Sequence, residues 1–158
     1  MKRVVIMPAQ SKADLEDVAA LFRAYAASLP VDLGYQGFEA ELAGLPGKYA
    51  PPAGSLLIAR APSGEALGCV AMRPIEAESI CEMKRLYVTP ASRGMGLGSA
   101  LVQAIVERAR DAGYREMRLD TLPTMQAARA MYARAGFREI DAYYPTPVEG
   151  TIFLALPL

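Results

Sequence analysis

Apolar residues recur along the chain with two periodicities, one typical of strands and one typical of helices. The two patterns alternate along the sequence. Residues 4–7 form a short apolar run that is typical of an opening strand. Ser11 then occupies a helix N-cap position with Asp14 in the capping-box position, and Leu29 and Pro30 end the helix. The apolar face expected between these ends consists of Leu15, Val18, Ala19, Phe22 and Tyr25.

The middle of the chain predicts a second short helix and a meander of three strands, separated by segments rich in glycine and proline. The expected elements are a loop at 31–37, a helix at 38–42, a connection at 44–54, strands at 55–61 and 66–73 joined by a turn at 62–65, and a long strand at 79–88.

The remainder alternates between strand and helix patterns. We expect a glycine-rich loop at 90–98, a helix at 100–112 with Leu101, Ile105 and Ala109 on one face, a strand at 114–121, a helix at 124–135, and strands at 137–140 and 151–156. Mixed order of this kind predicts an α/β fold of the α+β type, in which one mixed sheet has helices on both faces. The strand–helix–strand unit over 79–121 is expected to be a right-handed parallel crossover.

Length and charge narrow the function classes. The chain has 158 residues, which suits one domain over 1–158, and no linker or repeat divides it. Lys+Arg and Asp+Glu are 17 each, so the chain has no net charge that would favour binding to nucleic acid or to an anionic membrane. No apolar stretch approaches the ~20 residues that span a bilayer. We therefore expect a soluble cytoplasmic protein with no nucleic-acid or membrane partner.

The chain contains no histidine, which excludes Ser-His-Asp, Cys-His and His-metal mechanisms together. Acid–base chemistry must come from Glu, Asp, Tyr, Lys, Cys, water or the substrate. Cys69 and Cys81 make neither a disulfide framework nor a zinc site, and we expect no metal. Cys69 is expected to be buried and inert, and Cys81 lacks an activating partner in the sequence.

The segment 86–99 carries the clearest chemical signal. A buried strand enters a loop with glycines at 94, 96 and 98, and an amphipathic helix follows. Glycine permits close backbone approach, and a helix N-terminus adds free N–H donors, so together they can cradle a diphosphate with Arg93 at the rim. The alternative is a turn that only the fold requires. P-loop and Rossmann patterns do not fit, because no lysine follows Gly98 and the glycine spacing is too narrow.

These residues resemble a known family. Arg93-Gly94-Met95-Gly96-Leu97-Gly98 resembles the Arg/Gln-x-x-Gly-x-Gly/Ala signature of GNAT acetyltransferases, and residues 86–90 look like the family's fourth strand and its exit. The segment 128–137 is similar to its Ala-x-x-Leu-Tyr-x-x-x-Gly-Phe motif. The likeness is strong over 79–140, and the element order extends it to nearly the whole chain. It implies the GNAT fold, with a mostly antiparallel sheet and one parallel crossover.

The resemblance implies acetyl-CoA as co-substrate. Its pantetheine arm would pair with the strand before the glycine loop, and its diphosphate would lie on the loop and the helix start. The cofactor-binding residues expected on this basis are Leu86, Tyr87, Val88, Arg93, Gly94, Met95, Gly96, Leu97, Gly98 and Ser99. One departure stands out: many members have Asn seven residues before the tyrosine of the last helix, and this chain has Met125 there.

The resemblance also implies two catalytic residues. Tyr132 occupies the position of a general acid that protonates the departing thiolate; otherwise it is a helix tyrosine that packs on the core with its hydroxyl at the surface. Glu82 lies where some members keep a base for the attacking amine, and it could equally bind the ammonium. The plain alternative is a solvated strand glutamate, because alternation places Glu82, Lys84, Leu86 and Val88 on one face.

Substrate identity is weakly encoded. The family uses the segment between the first helices and the C-terminal hairpin, and the candidate substrate-binding residues there are Tyr35, Phe38 and Tyr143, with Tyr49 and Tyr144 nearby. Arg73, Lys84 and Arg85 are expected at the surface or an anion rim.

The resulting expectation is direct transfer of acetyl to a primary amine of a small, amino-acid-like molecule. Alternatives are a protein N-terminal or lysine acetyltransferase, a non-catalytic acyl-CoA-binding regulatory module, and a purely structural domain. Homodimers are common for this fold, and the sequence does not show an interface.

Overall fold

The computed structural model describes residues 3–75 and 79–158, apart from the side chain of Tyr35. Within them, the strands are β1 Val5–Pro8, β2 Ser55–Arg60, β3 Ala66–Pro74, β4 Ile80–Val88, β5 Glu116–Thr121, β6 Arg138–Ile140 and β7 Ile152–Pro157. The α-helices of the same residues are α1 Lys12–Ser28, α2 Phe38–Ala43, α3 Leu97–Asp111 and α4 Gln126–Ala135. Short 3-10 helices lie at Leu33–Gln36, Gly47–Tyr49 and Pro90–Ser92.

The described strands form a seven-stranded sheet in the order β1-β2-β3-β4-β5-β7-β6. Every neighbouring pair is antiparallel except β4 and β5, which are parallel and joined by α3. The predicted mixed sheet with one parallel crossover is therefore confirmed. No helix among the residues described is long and apolar enough to cross a membrane.

Apolar side chains form one buried cluster on each face of the sheet. The first cluster joins α3 and α4 to the sheet and contains Leu101, Ile105 and Ala109, the three residues that the helical spacing predicted for one buried face. The second joins α1 and α2 to the opposite face, with Phe22 and Phe38 among its members. Burial of a Leu, Ile or Phe side chain contributes about 1.5–3 kcal/mol, so these two clusters hold the layers together.

Several element bounds differ from the sequence prediction by one to three residues, and two differences lie next to the site. The expected loop at 31–37 contains a 3-10 helix, Leu33–Gln36, because the side chain of Asp32 accepts a hydrogen bond from the backbone N–H of Gly34 at 2.7 Å. Helix α3 begins at Leu97 rather than at Ala100, with Gly96 as its N-cap. The glycine loop therefore continues into the first turn of the helix.

Strands β4 and β5 separate beyond their first residues. Their parallel pairing covers Ile80 with Glu116, Cys81 with Met117 and Glu82 with Arg118. Beyond these pairs β4 continues to Val88 and β5 to Thr121 with no further pairing between the described residues of the two strands. The gap leaves backbone N–H and C=O groups of β4 free to bind an extended ligand.

A β-bulge in β4 reverses its side-chain alternation. Ala71 pairs with Lys84 but Cys69 pairs with Tyr87, so one extra residue lies in β4, and Arg85 adopts φ 62°. The prediction that Glu82, Lys84, Leu86 and Val88 share one face is therefore wrong. Leu86 and Val88 pack on the cluster beneath α3, whereas Glu82 and Lys84 line a cavity on the opposite face.

Arg85 stabilises this bulge from the side of α2. Its Nε and Nη2 atoms donate to the two carboxylate oxygens of Glu41, each at 2.9 Å, and its guanidinium lies 5.3 Å from the ring centre of Phe38. Arg85 is only 3% exposed. The expectation that it lies at the surface or an anion rim is wrong, because a bidentate partner 44 positions away in the sequence compensates for its burial.

Candidate active site

The gap between β4 and β5 opens into a cleft, here called the central cleft. Its walls come from both strands, from α1 and from α4, so it crosses the middle of the sheet. The lining residues used below are Lys84, Leu86, Asp120, Met125 and Tyr132. An extended chain can enter here as an additional strand, because the backbone of β4 has no partner strand on this side.

The glycine loop lies at the end of β4 nearest this cleft. Gly94 and Gly96 have φ values of +85° and +76°, which L side chains rarely adopt. Gly98 is needed for another reason, because a Cβ atom there would lie 3.1 Å from Sδ of Met131 on α4. The first turn of α3 leaves N–H groups at Leu97, Gly98 and Ser99 without partners inside the helix. This arrangement fits a diphosphate, which needs converging N–H donors and a positive helix end.

Arg93 folds back over the exit of β4. Its Nε donates to the carbonyl oxygen of Val88 at 3.2 Å, and its guanidinium lies 5.8 Å from the ring centre of Tyr87. Met95, at the tip of the loop, is exposed. The Tyr87 side chain packs in the cluster beneath α1, where its ring and that of Tyr25 form an edge-to-face contact with ring centres 6.3 Å apart. Tyr87 can therefore offer only its backbone to a ligand in the cleft.

Tyr132 on α4 lines the central cleft, as does Leu86 on β4. It is 6% exposed, and its ring contacts Phe137 edge-on at 5.8 Å between centres. Tyr132 thus packs on the core and lines the cleft as well, whereas the plain alternative placed its hydroxyl at the surface. Burial raises the pKa of its phenol well above the ordinary range, so the hydroxyl keeps its proton at neutral pH.

Glu82 lies on β4 before the bulge, and its carboxylate is held from two sides. Arg73, its cross-strand partner on β3, donates from Nε to Oε1 at 2.9 Å, and the hydroxyl of Tyr143 donates to Oε2 at 2.5 Å. Glu82 is only 2% exposed. The interpretation of Glu82 as a solvated strand glutamate is therefore wrong. Arg73 is partly exposed and binds this carboxylate, which agrees with the expected position at the surface or an anion rim.

The segment before β7 brings two tyrosines onto the sheet. Tyr143 and Tyr144 contact each other and Phe153 edge-on, with ring centres 5.2–5.4 Å apart. The hydroxyl of Tyr144 donates to Oδ2 of Asp120 at 2.6 Å, and Arg118 lies 5.4 Å from the ring centre of Tyr143. This aromatic cluster positions the carboxylates of β4 and β5 at the start of the gap.

A second cavity, here called the acceptor pocket, lies on the face of the sheet that carries α2. Its lining includes Arg73, Glu82, Tyr49 and Tyr144, and it shares Gln36 and Lys84 with the central cleft. The two spaces therefore meet at these shared side chains. The acceptor pocket and the central cleft are thus neighbouring spaces, and the hydrogen-bonded side chains of Lys84 and Gln36 lie between them.

The structure separates the three residues expected to bind substrate. Tyr143 reaches the site through Glu82. Phe38 is 8% exposed and lies in the second cluster, where its ring supports Arg85 rather than facing open space. The side chain of Tyr35 lies outside what the structure describes.

Met125 is the N-cap of α4, and its sulfur accepts from Oγ1 of Thr121 at 3.8 Å.

Asp120, Lys84 and Gln36 are site residues that sequence reasoning did not assign. Asp120 lies one residue before the end of β5, and its carboxylate is held by Tyr144, which lies 24 positions later. The Nζ atom of Lys84 donates to Oε1 of Gln36 across 48 positions. The cross-strand pairing of β3 with β4 is the one usable signal, because it places Arg73 opposite Glu82.

Both cysteines are buried, as predicted for Cys69. Burial raises the pKa of the Cys81 thiol to about 12 and that of Cys69 further still. A thiol must lose its proton to become an effective nucleophile. Neither cysteine has the properties of a catalytic nucleophile.

The site combines three features: a splayed parallel strand pair, a glycine loop leading into α3, and a buried tyrosine on α4. Residues 18–137 match the model of the Acetyltransferase (GNAT) family. The chain belongs to the GNAT acetyltransferase family. The predicted superfamily is therefore confirmed, and the protein is an N-acetyltransferase.

Individual relatives agree with this assignment. The chain is 41% identical over 145 residues to an uncharacterised N-acetyltransferase of Schizosaccharomyces pombe, covering 92% of this chain and 89% of the relative. It is 40% identical over 102 residues to an aminoglycoside N(6')-acetyltransferase type 1 of Klebsiella aerogenes, covering 61% and 66%. A GNAT acetyltransferase structure from Staphylococcus aureus superposes with a TM-score of 0.81 at 16% identity, covering 98% and 99%, and this likeness concerns the fold alone.

Members of the GNAT family use an acyl-CoA as co-substrate. The residues present fit one. The gap beside β4 accepts an extended arm, and the N–H groups at the start of α3 accept a diphosphate.

Proposed function

We propose that this GNAT protein transfers an acetyl group from acetyl-CoA directly to the primary amine of a small molecule. The observation that carries the proposal is the meeting of the central cleft and the acceptor pocket at Gln36 and Lys84. Two adjoining spaces allow both reactants to bind together. Direct transfer then gains from proximity and needs no acyl-enzyme, for which the buried cysteines are unsuited.

The backbone of β4 is assigned to the acyl donor. When bound, acetyl-CoA supplies an activated acyl group and a thiolate leaving group. Backbone groups of Leu86 and Val88 bind the extended arm, and N–H groups of Leu97, Gly98 and Ser99 bind the diphosphate. A backbone N–H near Leu86 or Val88 stabilises the negative oxygen that develops during attack.

Tyr132 is assigned as the general acid. Its phenol lines the central cleft and keeps its proton, because burial raises its pKa. A protonated donor inside a water-poor cleft can give its proton to a sulfur that gains negative charge. Leu86, whose backbone is assigned to the acyl arm, lines the same cleft.

Glu82 is assigned to the acceptor amine. It lines the acceptor pocket, and Arg73 and Tyr143 fix both of its oxygens. A fixed carboxylate can bind the substrate ammonium and take its proton, either directly or through a water molecule. Tyr143 is thereby a positioning residue, because it acts on the substrate through Glu82.

A small acceptor agrees with the shape of this pocket, which is walled by Tyr49 and Tyr144 and by residues of α2. It also agrees with the name of the Klebsiella aerogenes relative, whose acceptor is an aminoglycoside.

An amine screen tests the proposal. The protein is incubated with acetyl-CoA and a panel of small primary amines, amino acids and short peptides, and free thiol is measured over time. We expect turnover with small amines. Turnover confined to peptides would replace the proposal with a protein acetyltransferase. Binding of acetyl-CoA without turnover on any amine would favour a regulatory acyl-CoA-binding module.

A further inference from the structure

Two cations converge on one carboxylate oxygen in the acceptor pocket. Nε of Arg73 lies 2.9 Å from Oε1 of Glu82, and Nζ of Lys84 lies 4.0 Å from the same oxygen. Both cationic side chains line the pocket. Glu82 alone can balance only one of them.

Of the two cations, Lys84 is the more buried. Its side chain is 13% exposed, and its Nζ donates to the neutral amide oxygen of Gln36 at 2.9 Å. Burial lowers the pKa of Lys84, which means that its surroundings disfavour the charged form. An ammonium group has three donors, and an anion placed beside it would compensate for its lost hydration.

The other charged residues that line the pocket are Glu41 and the exposed Lys48. Arg85 and Glu41 form a bidentate pair with each other. Asp120 accepts from Tyr144 and lies on the side of the central cleft. The lining of the acceptor pocket therefore carries more positive than negative charge, and the carboxylate of Asp120 lies in the adjoining central cleft.

We infer that Lys84 and Arg73 bind a carboxylate of the acceptor, so that the acceptor class is amino acids and closely related amino carboxylates. The inference rests on the proposed function and refines it. The amino group then points toward the central cleft, near Glu82 and Asp120, and the carboxylate points toward the two cations. Amino acids carry both groups within a few bonds, which matches the position of Lys84 at the junction of the two spaces.

The alternative is a structural role, in which Lys84 only ties β4 to Gln36. Matched pairs of acceptors distinguish the two roles. The probes are the standard amino acids and their α-amides, for example L-leucine with L-leucinamide and L-phenylalanine with L-phenylalaninamide. Each pair keeps the amine and the side chain and differs in the carboxylate.

Two measurements are made on each pair. The first is binding of the acceptor in the presence of CoA, which carries no acyl group to transfer. This binding is measured by thermal shift and by calorimetry. The second is kcat/KM with acetyl-CoA. We expect at least one amino acid to bind and to react about tenfold or more better than its amide, because charge-assisted hydrogen bonds are the stronger class.

Variants then test which side chains cause the preference for the acid over the amide. Lys84→Met and Arg73→Met should each reduce the preference for the acid over the amide. Arg73 does not line the central cleft, so Arg73→Met should also leave the Kd for CoA unchanged. Lys12→Met, which removes an exposed lysine at the start of α1, should keep the preference. Arg73→Lys retains a positive charge and should keep part of the preference.

Several outcomes would overturn the inference. These are equal or better binding of the amides throughout the panel, or a preference that survives both Lys84→Met and Arg73→Met. If no amine reacts although CoA binds, the proposed transfer fails, and amino-acid binding in the presence of CoA still decides the carboxylate site. Absence of that binding as well would overturn the inference too.

Discussion

The hydroxyl of Tyr143 donates a 2.5 Å hydrogen bond to Oε2 of Glu82, across 61 positions of sequence. This contact links the segment before β7 to β4 on the far side of β5. It orients a nearly fully buried carboxylate, whose other oxygen accepts from Arg73. The carboxylate that faces the acceptor pocket is therefore fixed by residues from two other parts of the chain.

Tyr143→Phe removes this hydrogen bond and keeps the ring. We expect kcat/KM for the acceptor to fall while KM for acetyl-CoA stays constant, because Glu82 loses orientation and the central cleft is untouched. The free energy of unfolding should fall by about 1–3 kcal/mol, the usual range for a hydrogen bond to a charged group. Tyr114→Phe is the control, since its hydroxyl donates to the carbonyl of Ala53 away from the site. Equal acceptor kinetics in both variants would contradict the role of Tyr143.

Tyr132→Phe removes the proposed proton donor. We expect kcat to fall by about 100-fold or more, with little change in the Kd for CoA, because general acid catalysis contributes in that range. Burial raises the pKa of Tyr132, so the wild-type rate should not decline on its account as pH rises to about 10, the ordinary pKa of tyrosine. Wild-type kcat in the variant would remove Tyr132 from the mechanism.

Gly96→Ala tests the glycine loop. Gly96 and Gly64 both have positive φ values, +76° and +92°, and an added Cβ meets nothing within 4 Å at either position. Each substitution should therefore cost about 1–2 kcal/mol of backbone strain. Only Gly96→Ala should weaken CoA binding, by about tenfold, because Gly64 lies in the turn between β2 and β3. Equal CoA affinity in the two variants would show that the loop only forms a turn.

Asp14→Asn tests how α1 is attached to the sheet. Asp14 completes the capping box with Ser11 and accepts from Nη2 of Arg60 on β2 at 2.8 Å. The Arg60 hydrogen bond is the main cause that lowers the pKa of Asp14 from 3.8 to about 2. A lowered folded-state pKa stabilises the protein above pH 4, and this contribution is lost as pH falls toward 2.

We expect Asp14→Asn to lower the free energy of unfolding by about 1–2 kcal/mol at pH 7. The difference from wild type should shrink between pH 4 and pH 2, as denaturant titrations at several pH values would show. A difference that stays constant with pH would mean that the carboxylate charge contributes nothing.

Local patterns predicted the elements that form by local rules. Ser11 and Asp14 form the capping box that their spacing indicates, and Leu101, Ile105 and Ala109 are buried together on α3. The glycine loop was also predictable, because positive φ at Gly94 and Gly96 is a requirement that few other residues meet. These features depend on neighbours within a few positions.

The features that the sequence did not reveal depend on distant partners. The bulge at Arg85 has no signature in the alternation of β4, since it is stabilised by Glu41 on α2. A strict alternation therefore placed Leu86 and Val88 on the wrong face relative to Glu82. The burial of Glu82 depends in the same way on Tyr143, which no local pattern connects to β4.

Titration of the protein with acetyl-CoA tests the central claim most directly. A ligand that binds only the folded state raises the thermal midpoint as its concentration exceeds its Kd. We predict a concentration-dependent rise with acetyl-CoA and with CoA, and a smaller rise in Gly96→Ala than in Gly64→Ala. No rise with any acyl-CoA, in protein shown to be folded, would contradict the assignment of the central cleft and the glycine loop to the acyl donor.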